Sequence, residues 1–429
     1  MTSGNKLTRW ILIALLLGVV CGLAIHYAMD DPGQVVQHFG LVTTIFLRLI
    51  KMIIAPLVFA TLAVGIAKMG DVNVVGRIGL KAMLWFVGAS LMSLTLGLVL
   101  VNLFEPGVGL TIALPDAGAS SGVVATGLTL AEFVTHLVPA SIVDGMAKNE
   151  ILQIVVFSVF FGVGCAGVGE KAKALVDALE GLSYVMLKVT MLVMWFAPFA
   201  VFAAVASAIA KSGLGVLATY GVFMAEFYFG ILLLWLLLFA AAWVVLRGRA
   251  VTLFKAVREP TLLAFSTASS EAAYPKTLAL LERFGCSNRI ASFVLPLGYS
   301  FNLDGSMMYC TFATVFIAQA YGIELSYAQQ LTMLLILMVT SKGMAGVPRA
   351  SLVVIAATLA QFNIPEAGLL LLLGIDHFLD MARSATNVIG NSVATAVVSK
   401  WEGQLRTEDE VAAELENATE PSPPHQGIG

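Results

Sequence analysis

The chain has 429 residues, of which 59% are hydrophobic and only 12% charged, with a formal net charge of −3. A soluble globular chain carries roughly 25% charged residues, so water is not the main solvent here, and the absence of a basic field excludes a nucleic-acid partner. The four cysteines, Cys21, Cys165, Cys286 and Cys310, have no paired spacing and sit in or beside apolar segments, which indicates neither a disulfide framework nor a metal site.

Apolar runs near the ~20 residues needed to cross a bilayer recur from Trp10 almost to Trp401. One polytopic membrane domain over residues 1–402 is therefore expected. Lys6 and Arg9 precede an apolar stretch from Trp10 to about Ala28 with no small-residue cleavage signature, which reads as a retained first span. Further spans are predicted at 41–67, 79–104, 129–168 (broken near Pro139 and Asn149), 174–209 and 214–246. Basic clusters at Lys68, Arg77 and Lys81, and at Arg247, Arg249, Lys255 and Arg258, place those loops and both termini in the cytoplasm by the positive-inside rule. Residues 403–429 are acidic and end in EPSPPHQGIG, the composition of a disordered cytoplasmic tail.

Beyond residue 250 the pattern changes. Two segments, 262–275 (LLAFSTASSEAAYP) and 339–351 (VTSKGMAGVPRAS), are interrupted by Ser, Gly, Pro and charged residues at what should be membrane depth. Irregular backbone survives there only where protein buries it or it lines a watery cavity, and a corresponding pair of such segments points to a transporter binding site. Between them, 287–320 reads as a span broken at SFNLDGS (300–306), and 366–400 is the last span.

On that last span, Asp376, Asp380, Arg383, Ser384, Asn387 and Asn391 fall in one stripe about 100° wide at helical spacing. Polar seams of Ser and Asn can simply glue helices, but ionisable groups inside a span mark a substrate or ion path. Arg383 is a permanently charged fork that matches a carboxylate. Asp380, one turn away, would repel a second carboxylate and pair with an ammonium; together they describe an acidic amino acid. The alternative is a structural ion pair between them at i, i+3. His377, at the rim of the stripe, is a proton carrier or is satisfied by a neighbour. Ser269 and Ser270 offer hydroxyls and free amides to an anion. Glu271 beside them is a proton carrier if desolvation raises its pKa, or a structural partner of Lys342. Asn302 and Asp304 either hold a cation or orient the turn. An intramembrane aspartyl enzyme would bring its two acids from different spans, whereas Asp376 and Asp380 share one helix, so no enzymatic activity is expected. A channel fits less well than capture of a single zwitterion.

The motifs ASSEAAYP (268–275), PLGYSFNLDGS (296–306), SKGMAGVP (341–348) and GIDHFLDMARSATNVIGN (374–391) resemble the dicarboxylate/amino acid:cation symporter family, that of the glutamate transporters. The resemblance covers residues 8–402 and is strongest from 262 onward. It implies an all-α membrane protein of eight transmembrane helices plus two re-entrant hairpins, assembled as a homotrimer in the lipid of the bacterial inner membrane. It also implies a scaffold of spans 1, 2, 4 and 5 and an elevator-type transport core made mainly of 79–104, 214–246 and 251–400. Ser270, Gly346 and Val347 would contact substrate at the hairpin tips, Ser306 and Arg383 its side-chain carboxylate, and Asp380 its amino group, with Ser384 and Asn387 completing the pocket. Sodium-coupled members carry an aspartate where Asn391 stands, and hydroxyls on span 3 where this chain has Phe86 and Ala89. Lys342 lies where a sodium site sits in those relatives. The pattern is similar to the proton-coupled glutamate/aspartate symporters of bacteria, with Glu271, His377 and Asp376 as carriers of the coupling proton and no cofactor.

Overall fold

In a computed structural model, residues 3–29, 31–68, 72–109, 114–115, 135, 138–212, 215–341 and 350–411 are described. These residues are almost entirely helical; the one extended pairing among them is an isolated antiparallel bridge between Cys286 and Leu405. Five stretches are long and apolar enough to cross a membrane: Arg9–Ala28, Gly33–Ala67, Asn73–Phe104, the near-continuous Ile151–Met194, and Tyr220–Leu246.

One side of the molecule is built from α1 (Ser3–Ala28), α2 (Gly33–Ala67), α5 (Ile151–Val168), α6 (Lys173–Met194) and α7 (Ala197–Ser212). The most extensive helix pairing is between α1 and α7. Its cause is a Gly-x-x-x-Gly pair: a Cβ on Gly18 would sit 2.9 Å from the Phe202 carbonyl oxygen, and one on Gly22 2.8 Å from that of Ala206. Small residues at i, i+4 let two backbones approach, which is how helices associate where lipid gives no hydrophobic drive. In turn, α2 buries its Ile53–Ile66 stretch against α5, α6 and α7.

The other side is built from α3 (Val72–Phe104), α8 (Gly215–Leu246) and the described residues after 248. Helix α9 (Arg249–Thr267) turns back as α10 (Ser270–Phe284). The turn has a local cause: Ala268 takes a left-handed conformation at φ 49°, and the Ser269 hydroxyl caps α10 by accepting from the Ala272 amide at 3.3 Å. Next, α11 (Asn288–Phe301) breaks at Asn302 and Leu303, and α12 (Asp304–Ala320) follows. A Ser326/Gln329 capping box starts α13 (Tyr327–Thr340), and α14 (Ala350–Gln361) follows it in the chain. The two sides meet through α2 with α10 and α11, α5 with α11, and α7 with α9.

Three sequence expectations need correction. The span predicted at 174–209 is two helices, α6 and α7, parted at Trp195 and Phe196 ahead of Pro198. The span predicted at 366–400 is a 3-10 turn (Glu366–Gly368), the short α15 (Leu369–Leu373) and then α16 (Asp376–Trp401); Asp376 therefore opens a helix, where the positive dipole end favours an acid. The tail does not become free at 403. Glu402 binds Arg77 and Lys81 at 2.8 and 2.7 Å, and the Arg406 amide donates to the Gly285 carbonyl at 3.0 Å. The break near Asn149 is as expected: this residue stands at φ 54° between α4 (Ile142–Ala147) and α5.

Candidate functional site

The stripe predicted on the last span is buried inside the molecule. Asp376, Arg383, Ser384, Asn387 and Asn391 are each under 5% exposed, and only the Asp380 side chain, at 34%, reaches the surface. The helix interacts along its length with α8, α9, α11 and α12, so its polar groups must find partners inside the protein.

They do so in three tiers. In the first, the Arg383 guanidinium Nη2 lies 3.0 Å from both Asp376 and Asp380, and its Nε donates to Asp380 at 3.2 Å. It also lies 4.0 Å above the centroid of the Tyr309 ring, whose hydroxyl reaches Asp376 at 3.4 Å. The i, i+3 ion pair is thus formed. Yet Nη1 is buried with no hydrogen-bond partner among the described residues, an open donor on a planar fork that suits a carboxylate. In the second tier, Asn387 Oδ1 accepts from the amides of Gly305 and Ser306, and its Nδ2 donates to the Ser306 hydroxyl at 3.2 Å. Here a side chain of α16 satisfies amides freed where α12 begins.

The third tier is the helix break. The Asn302 amide donates to Asp304 Oδ2 at 3.0 Å and to Asn391 Oδ1 at 3.3 Å, and the Ser93 hydroxyl of α3 donates to Asp304 Oδ1 at 3.3 Å. Asp304 fits because residue 390 is Gly: a Cβ there would lie 1.9 Å from Asp304 Oδ2. Asn302 Oδ1 and Asn391 Nδ2 are buried without hydrogen-bond partners among the described residues. Phe86 and Ala89 are buried as well, but the α3 hydroxyls facing the break are Ser90, which donates to Phe301 O at 3.4 Å, and Ser93. Sequence reading did not single these out, nor Tyr309; serines at i, i+3 on an apolar span were the available signal.

The remaining predicted residues lie elsewhere. Glu271, in the first turn of α10, lines a crevice with Ile54, Val58, Ile151, Tyr274 and Tyr299 and makes no ion pair among the described residues. The Ser270 carbonyl accepts from the Tyr299 hydroxyl at 3.0 Å. His377 is half-buried beside Asp376, its ring edge-on to Phe378. Lys342, Gly346 and Val347 lie outside the described residues. Among the described residues, no cluster of His, Cys, Asp and Glu could hold a metal ion.

Comparison with known proteins decides the family. The model of the sodium:dicarboxylate symporter family matches residues 7–401. The chain belongs to this family. It is 40% identical to a C4-dicarboxylate transport protein of Laribacter hongkongensis (strain HLHK9), covering 97% of this chain and 95% of that one. It is 41% identical to a proton/sodium-glutamate symport protein of Bacillus caldotenax, covering 93% and 95%. A protein of the latter description from Bacillus subtilis (strain 168) is 38% identical, with 93% of each chain covered. The protein is therefore a multi-pass membrane symporter of a small solute and a coupling cation, and not an enzyme.

Proposed function

We propose that this symporter imports acidic amino acids, aspartate or glutamate, together with protons across the bacterial inner membrane. The observation that carries the reading is Arg383. A cation on a membrane helix is expensive, and this one is held over Tyr309 between two carboxylates with Nη1 open among the described residues. A solute carboxylate completes the fork. Asp380, half-exposed where Asp376 is buried, is the acid an ammonium can reach. Asn387, Ser306, Ser384 and the hairpin-tip residues Ser270, Gly346 and Val347 complete the pocket. The working architecture is that of the family: eight spans and two hairpins, a trimer held by α1, α2 and α5–α7, and a core of α3, α8 and α9–α16 that moves as an elevator.

Proton rather than sodium coupling rests on the amide at Asn391, because hard cations need oxygen ligands and gain from charge. Glu271 is the carrier, with His377 and Asp376 as alternatives. The test is uptake of labelled aspartate, glutamate and succinate into proteoliposomes under an imposed pH gradient, with and without sodium. Acidic amino acid uptake without sodium is expected, and a strict sodium requirement discards proton coupling. Glu271→Gln should lose gradient-driven uptake and keep exchange; gradient-driven uptake persisting in that variant moves the proton elsewhere. A second reading, four-carbon dicarboxylate transport, is favoured by the Asp380–Arg383 ion pair, which occupies the acid an ammonium would need. Succinate transported as well as aspartate selects it.

A further inference from the structure

Helix α8 contributes none of the residues named above, yet it touches the solute site at two places. The Tyr228 hydroxyl donates to the Phe378 carbonyl oxygen at 2.7 Å. About two turns further on, Trp235 Nε1 donates to the Thr386 hydroxyl at 2.8 Å, and that hydroxyl in turn donates to the Ala382 carbonyl oxygen at 2.8 Å. Numbering rises together along both helices, so they run parallel here, and the two bonds bracket the turn of α16 that carries Asp380 and Arg383. Phe227 adds a third support, packing edge-on against the Tyr309 ring at 5.6 Å, the ring on which Arg383 rests.

We infer that Tyr228 and Trp235 are positioning residues for the solute site: they pin the register of the Asp380–Arg383 turn, Trp235 setting affinity for either solute and Tyr228 the preference for amino acid over plain dicarboxylate. The inference rests on the reading of Arg383 and Asp380 given above. The physical reason is leverage. The side chains of an α-helix turn with its backbone, and Arg383 is held to Asp380 and Asp376 and against the Tyr309 ring. An ångström of slip in α16 carries both groups together relative to Ser306 and the Tyr309 ring on α12, and misplacement of that size can cost on the order of 100-fold. Tyr228 acts at the turn bearing Asp380, the ammonium partner; Trp235 acts below it, nearer Arg383.

The test uses the full chain in lipid nanodiscs, with dissociation constants for aspartate and competition constants for succinate, and with melting temperature measured in parallel. Tyr228→Phe removes one donor and keeps the ring. It should weaken aspartate by about three- to tenfold, the size of one hydrogen bond, and weaken succinate by less than half that factor, because succinate has no ammonium for Asp380. Trp235→Phe should weaken both solutes alike. Thr386→Val removes the acceptor and should reproduce Trp235→Phe, with the double variant no worse than either single one; this arm needs aspartate alone. The inference is overturned if both Phe variants bind both solutes within twofold of the parent, or if Thr386→Val and Trp235→Phe add independently. Arg383→Cys is the control for the underlying reading. If it retains aspartate affinity, that reading fails; if it loses affinity while the α8 variants do not, only the α8 inference fails.

Discussion

The seam between α1 and α7 and the seam around α16 are both buried helix contacts, yet opposite means hold them. The first is specified by shape: Gly18 and Gly22 admit the Phe202 and Ala206 backbone, and dispersion does the rest. The second is specified by polarity, with Asp376, Arg383, Asn387 and Asn391 each matched to a partner from α12 or the break before it, or from α16 itself. A shape-specified seam fixes distance and carries no chemistry. A polar seam fixes register as well, because its donors and acceptors must meet particular partners, and it leaves Arg383 Nη1 without a partner among the described residues.

The contrast can be broken most severely at Arg383. Arg383→Cys strands the buried Asp376, and leaving one partner of a buried pair uncompensated costs roughly 3–5 kcal/mol. Thermal unfolding should report that loss, and aspartate uptake should vanish. Adding Asp376→Asn should recover much of the melting temperature and none of the uptake, which separates stability from recognition in one pair of measurements.

A blow of a different kind falls on the other seam. Gly18→Leu overpacks the α1–α7 contact, at about 1–3 kcal/mol, and should lower the melting temperature while the aspartate dissociation constant of the folded fraction stays within twofold. A large change in affinity would show that the two seams are not independent.

Asn391→Asp sharpens the comparison within the polar seam. It places a second carboxylate beside Asn302 and Asp304, where like charges repel unless a cation joins them. The variant should melt lower than the parent in potassium and recover by roughly 2 °C or more in sodium, about 1 kcal/mol for a chain this large. A sodium response equal to the parent's removes Asn391 from the coupling argument.

The smallest effect is expected at the C-terminal end of α16. The Glu402 carboxylate is held below the usual carboxylate range first by its hydrogen bond to Arg77 and then by Lys81. A depressed folded pKa means that its stabilisation is present above the unfolded value and is lost as pH falls through the folded one. Glu402→Gln should therefore cost about 0.5–1 kcal/mol near neutrality, discounted because Arg77 is largely exposed. The gap between variant and parent should close on acidification below about pH 4.3, which a pair of melting curves against pH would show.

Much of this was legible in the sequence. The stripe on α16 follows from spacing alone, because six polar residues at helical intervals must share a face. The breaks at Ala268 and Asn302 were visible because Ser, Asn, Asp and Gly offer backbone groups an alternative to the helix. Other features were hidden. The division at Trp195 lies inside an unbroken apolar run, where hydropathy has no contrast to register. The packing of residues 402–406 depends on Gly285, Arg77 and Lys81, far away in the chain, so an acidic composition misread it as free. Tyr309 reads as one more core aromatic until Arg383 is seen on its face.

Local sequence thus determined which residues could not face lipid and on which helix they stood, since periodicity and the energetic expense of a buried charge act along the chain. Tertiary structure alone decided their partners: that Arg383 is shared between Asp376 and Asp380 with one donor unpaired among the described residues, that Ser93 rather than Ala89 meets Asp304, and that α8 braces the turn between them. Those choices depend on how α3, α8, α12 and α16 are rotated against one another. That rotation is set by the summed packing of many side chains, a quantity that no local stretch of sequence contains.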